Sequence, residues 1–236
     1  LPPPSPPDAP ILAGGRIVQS WPTRLPYAWG LGFNIMANDL WLSNLGSIGG
    51  LNRDYRFLPN GAFTNDNIDV SAWTGFFAAD MTFNPFTNRL WQVNAGGDDC
   101  LHELDPTQKI STGRRICPAF TASQRGLAYN PIADTYYVGG WNDRSLYEVA
   151  PNGQILRSLR TELNTSGLAF NPTTGHLFVM ANADTGLDVY VLDVGADFAV
   201  VGGFNVDGMT GYAQAGLDMD CSGHLWAVNQ VVQRVY

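Results

Sequence analysis

The chain has 236 residues, 45% of them hydrophobic, with 26 glycines and 15 prolines: enough to bury a sizeable core in one turn-rich domain. A net charge of −8 argues against nucleic acid and against anionic membrane surfaces as partners. No apolar run approaches the ~18 residues of a membrane span, which argues against membrane insertion.

The chain opens on LPPPSPPDAP, a proline-dense stretch that reads as a stiff, extended spacer able to tether neighbouring domains or subunits. It lacks the basic start and apolar run of a signal peptide, so any export signal is expected upstream or already removed. Residues 1–14 are assigned to this linker and 15–236 to the folded domain. GRIVQSWP at 15–22 reads as a strand with no partner nearby in sequence.

From there one sentence repeats five times: GLGFNIMANDLWL at 30–42, DMTFNPFTNRLWQV at 80–93, GLAYNPIADTYYV at 126–138, GLAFNPTTGHLFV at 167–179 and GLDMDCSGHLWAV at 216–228. Aligned on Asn34, Asn84, Asn130, Asn171 and Asp220, the copies fall 50, 46, 41 and 49 residues apart. That spacing is close to the ~40–50 residues of one propeller blade. Each copy is a strand, a tight turn and a strand. Asn bonds its own backbone two residues on, Pro presets φ, and Gly or Asn accepts φ > 0 at the end of the turn. Looser polar segments lead into outer hairpins such as SLYEVAPNGQILRSL at 145–159 and CLHELDPTQKIS at 100–111, with alternating apolar and polar residues. No stretch sustains a helical period. The fold class is therefore all-β, a β-propeller of four-stranded antiparallel blades.

The last repeat supplies AGLDMD, HLWAVN and VQRVY, three strands, and then stops. The economical closure adds the N-terminal strand as the fourth, making five blades, with six left open because the chain ends mid-pattern.

The motif apolar-x-aromatic-Asn-Pro-x-x-Gly-x-Leu-aromatic-Val resembles the repeats of bacterial YVTN/NHL-type β-propellers. The resemblance covers about residues 15–236 and implies a secreted or cell-surface location. That superfamily also includes lactonases and lyases that hold a metal in the central channel. His176 and His224 occupy the same rim position in different repeats, and His102 alternates with apolar neighbours and should face solvent, so no metal and no cofactor are expected. Cys100 and Cys117 flank the outer hairpin of one blade, and a disulfide between them requires a bulge near Gly113.

Asp80 and Asp218 replace small residues of the sister copies on channel-lining strands. They either form an acid–base or cation site or fix neighbouring backbone. GGDD at 96–99 and NADTGLD at 182–188 read as polar turns. The loop face gathers Tyr27, Trp29, Trp73, Phe76, Phe77, Trp141 and Tyr212, with Arg125 among its polar residues. Trp29 and Phe77 read as packing between blades; Trp73, Trp141 and Tyr212, with Arg125, Asp80 and Asp218, are the candidate ligand contacts. The expected function is a non-catalytic extracellular recognition or scaffold module binding glycan or protein. The alternative is a propeller hydrolase or lyase with a carboxylate site in the channel.

Overall fold

A computed structural model describes residues 7–46, 52–75, 77–120, 123–183 and 185–236; Phe76 and the first six residues of the proline-rich start lie outside them. The described residues form five four-stranded antiparallel sheets and no helix. The sheets are five propeller blades. Their inner strands are Ala28–Asn34, Phe77–Asn84, Gln124–Asn130, Thr165–Asn171 and Gln214–Met219 for blades 1 to 5. Each blade runs outward through strands a to d. The second-strand tryptophans Trp41, Trp91 and Trp226 are buried, and Trp226 stacks on Phe33 of blade 1.

The a–b turns follow from their side chains. Asn34 Oδ1 accepts the N–H groups of Met36 and Ala37, and Asn84, Asn130 and Asn171 do the same two and three residues on. Asp220 takes that role in blade 5, accepting from Ser222 and His224. Each turn ends on a residue with positive φ: Asn38, Asn88, Asp134, Gly175 and Gly223. Asn and Asp tolerate that region and Gly enters it freely, which is why the motif ends on those types.

Closure joins the two chain ends. Trp21–Pro22 pairs with Arg234–Val235 as the outermost strand of blade 5. Trp21 is buried, stacks on Phe57 at 5.2 Å and donates its Nε1–H to the Pro59 carbonyl at 3.0 Å. Upstream, the Leu12 N–H donates to the Gly203 carbonyl and the Gly203 N–H to the Pro10 carbonyl, so residues 10–12 run along the outer strand of blade 4.

Candidate active site

The Gly of each Gly-Leu pair lies where the inner strands converge. Glycines 30, 126, 167 and 216 occupy this level in four blades, and Asp80 takes the equivalent place in blade 2. A Cβ on Gly216 would stand 2.8 Å from Asp80 Oδ1, so the missing side chains make the room the carboxylate fills. Its two oxygens accept one N–H from each of the other blades. Oδ1 takes Leu31 at 3.2 Å and Leu217 at 3.3 Å; Oδ2 takes Leu127 at 3.2 Å and Leu168 at 3.0 Å. Asp80 is fully buried, and its oxygens are spent on backbone. Burial pushes its carboxyl well above the usual carboxylate range, with Asp218 adding to the push and the N–H donors opposing it.

Asp218 sits two residues nearer the a–b turns. Its Oδ2 accepts the Phe33 N–H at 2.7 Å and its Oδ1 the Met219 N–H at 2.8 Å, while burial raises its pKa to about 8. It closes a cavity of about 130 Å³ rimmed by Ile35, Pro85, Pro131, Pro172 and Cys221. Asp80 and Asp218 thus stand in successive layers of the channel, each bonded to a neighbouring blade.

The opposite mouth, where the b–c and d–a loops emerge, is larger and chemically richer. A cavity of about 510 Å³ is lined by Phe77, Gly96, Asp99, Ser123, Arg125 and Asp143, among others, within the usual size of a small-molecule site. Arg125, on the inner strand of blade 3, has its guanidinium 4.4 Å from the Trp141 ring centre and 4.8 Å from that of Trp29. Trp29 belongs to blade 1, two blades away, and Ala79 is the small residue at the same level of the intervening blade 2. Phe77 meets Trp29 edge to face at 5.2 Å, and Trp141 Nε1 donates to Asn182 at 3.2 Å, so both indoles are held in place.

Among the described residues the Arg125 side chain has no ion pair or hydrogen bond within the chain, and its Nε is buried without a partner. Burial lowers its pKa to about 10, which leaves it charged at neutral pH. Asp143 Oδ2 accepts the Tyr147 hydroxyl at 2.7 Å, yet its Oδ1 is buried and unpartnered, as is Oε1 of the adjacent Gln124. Gln124 Nε2 reaches the Asp99 carbonyl at 2.5 Å. Burial, with Asp98 adding to it, raises the Asp99 carboxyl. Buried polar atoms are almost always satisfied, and two of these three unpartnered atoms belong to residues that line the cavity, Arg125 and Asp143.

No protein-family model matches the sequence, and no curated protein matches it. Solved structures do. Glutaminyl cyclase from Myxococcus xanthus superposes with a TM-score of 0.69 at 15% identity, over 94% of this chain and 94% of that one. A protein of unknown function from Bacteroides thetaiotaomicron VPI-5482 superposes with a TM-score of 0.62 at 13% identity, over 87% of this chain and 57% of that one. The chain shares its fold with an enzyme. The expectation of a non-catalytic recognition or scaffold module is corrected on this point, since the propeller it superposes on over 94% of either chain is an enzyme.

The candidate residues divide accordingly. Arg125 and Trp141 come together at the loop-side mouth. Trp73 lies apart from them, stacked on His102 with ring centres 3.9 Å apart and bonded to Ser111 through Nε1. Tyr212 is half exposed with φ +56°, and its carbonyl accepts from Asn182 and Gln230. His102 is 5% exposed rather than solvent-facing, because the Trp73 ring covers the outward side of its strand. Cys100 and Cys117 are joined as a disulfide, with residues 112–114 bulging opposite Glu103; Cys221 is free and exposed. Reading the sequence alone passes over Asp143 and takes Trp29 for a packing residue; Trp29 is buried and also faces the Arg125 guanidinium. Asp99 lies in GGDD, read from the sequence as a polar turn, and ring closure brings it and Asp143 to the cavity that Arg125 lines.

Proposed function

We propose that the protein is an enzyme working at the loop-side mouth on a small substrate that carries a carboxylate or carboxamide next to an amine. The observation that carries this is Arg125, a charged, half-buried and unpaired guanidinium clamped between two indoles over a cavity. A guanidinium presents a planar fork of donors to a carboxylate or amide oxygen. Asp143 adds a carboxylate to the wall of the same cavity, and Asp99, with its raised pKa, is suited to give or take a proton.

A glutaminyl substrate with a free amine has both groups, which makes the reaction of the Myxococcus propeller the first to test. There the amine nitrogen attacks the side-chain carboxamide carbon, a ring C–N bond forms, the old C–N bond breaks and the nitrogen leaves as ammonia. Incubating the protein with a peptide beginning in glutamine, with ammonia release and the mass lost from the peptide as readouts, is the test. Thermal shifts with a panel of amino acids and carboxylates widen it to related substrates. Wild-type protein should bind or turn over at least one of these, and R125M should lose it. If R125M binds and turns over as the wild type does, the reading fails.

Two coarser inferences accompany this one. Export to an oxidising compartment is supported by the Cys100–Cys117 bridge. Kinship with YVTN/NHL-type repeats is supported by the Asn-Pro turn motif.

A further inference from the structure

The third strand of blade 2, Leu101–Asp105, and the loop before it gather a second set of chemically active side chains. One carboxylate oxygen of Asp98, the sulfur of Cys100 and one ring nitrogen of His102 lie within 4.8 Å of one another. His102 Nε2 is 2.9 Å from Asp98 Oδ1. The Trp73 ring lies almost parallel on the imidazole, at 6°, and Trp73 is itself held by Ser111 at 3.2 Å. The imidazole is therefore aimed at Asp98 by packing.

Only the sulfur is in the wrong form. Cys100 is buried and bonded to Cys117. A disulfide sulfur carries no charge, and the thiolate is what ligates metals. Cys117 is exposed, which gives an external thiolate or phosphine a way to the bond.

We propose that reduction of the Cys100–Cys117 bond converts this cluster into a zinc site, with Asp98, Cys100, His102 and Cys117 as ligands. The electrons balance simply. An external dithiol gives two electrons and two protons to the disulfide and becomes a disulfide itself; two thiols form, and zinc then displaces their two protons. One oxygen, one nitrogen and two sulfurs make a donor set that four-coordinate zinc accepts. At zinc–ligand bonds of roughly 2.0–2.3 Å, Asp98, Cys100 and His102 draw in around the ion while the two sulfurs, no longer bonded to each other, move apart. Arg115, whose Nη1 is 3.1 Å from Asp98 Oδ2, is exposed and can turn into solvent as the ion enters. The change also reaches the loop-side mouth, because Asp99 follows Asp98 in the chain and its carbonyl holds Gln124.

The test uses the full chain, reduced with a phosphine that does not retain zinc, dialysed against zinc chloride and measured for metal content. An oxidised sample is treated alongside. Reduced protein should hold about one zinc per chain and oxidised protein none, and cobalt in place of zinc should give a sulfur-to-cobalt charge-transfer band. D98N and H102Q should each weaken binding by roughly tenfold or more; D98N lies in a loop and keeps the test open if H102Q folds poorly. The proposal is overturned if the reduced chain takes up no zinc or unfolds before it does. It is equally overturned if the oxidised chain binds as well, or if both variants bind like the wild type, which would mean two free thiols acting alone.

Discussion

Asp80 is one side chain on which four other blades depend, so its conservative replacement should be felt across the ring. In D80N an amide NH₂ takes the place of an oxygen that accepts two backbone N–H groups, leaving those donors facing another donor. At about 1–3 kcal/mol for each of the two buried donors left unsatisfied, D80N should lose roughly 2–6 kcal/mol in urea denaturation. Asp218 gives a pH signature. Its folded pKa of about 8 lies above its unfolded value, so the folded state holds the extra proton in between. The corresponding stability is full below about pH 4 and is lost as pH rises through about 8. Denaturation midpoints should therefore fall over that range, and D218N, which mimics the neutral acid, should flatten the slope. The sequence marked both residues as departures from Gly or Ala in an otherwise regular repeat. Which N–H groups they would serve was illegible there, because Asp80 and Leu217 are 137 positions apart and meet only through ring closure.

At the level of strands and turns the sequence was most informative. The Asn side-chain turns, the five inner strands and the terminal closure are local or periodic features, and each has a residue type that dictates it. The faces of the outer strands were harder to read. A strand in a propeller can be covered on both sides, so alternation in CLHELD did not tell which side of His102 met solvent. Closure makes a direct prediction. Deleting residues 1–8 should leave the melting temperature unchanged, since Ala9 packs on the core and the described backbone bonds to blade 4 begin at Pro10. Deleting 1–22 removes Trp21 and the closing strand. Losing a buried aromatic costs about 3–5 kcal/mol, and at about 2–4 °C per kcal/mol for a chain of this size the melting temperature should drop by roughly 6–20 °C. Equal melting of the two truncations would show that the strand does not close the ring.

For the molecule as a whole, an acidic chain keeps one unpaired cation at the mouth of its channel. An arginine that served the fold alone would weaken the protein when removed. R125M should instead leave stability within about 1 kcal/mol of wild type, because the charge lost was half-buried and unpaired, while abolishing any thermal shift caused by ligand. A ligand at 100 times its Kd should stabilise the wild type by about 2.7 kcal/mol and raise its melting temperature by roughly 5–10 °C. The Asp80 arrangement bears, finally, on how such a ring can have grown. Repeats of this kind multiply by gene duplication, and most copies can drift freely. Here one copy must bring an acid, each of the others must stay bare at the same level, and a single carboxylate has only enough lone pairs and reach for four neighbours. An added or lost copy would leave a donor stranded or an acceptor idle, so in this chain five blades match the acceptor capacity of one residue. Circular permutation, which reorders the copies along the chain without changing their count, should be tolerated.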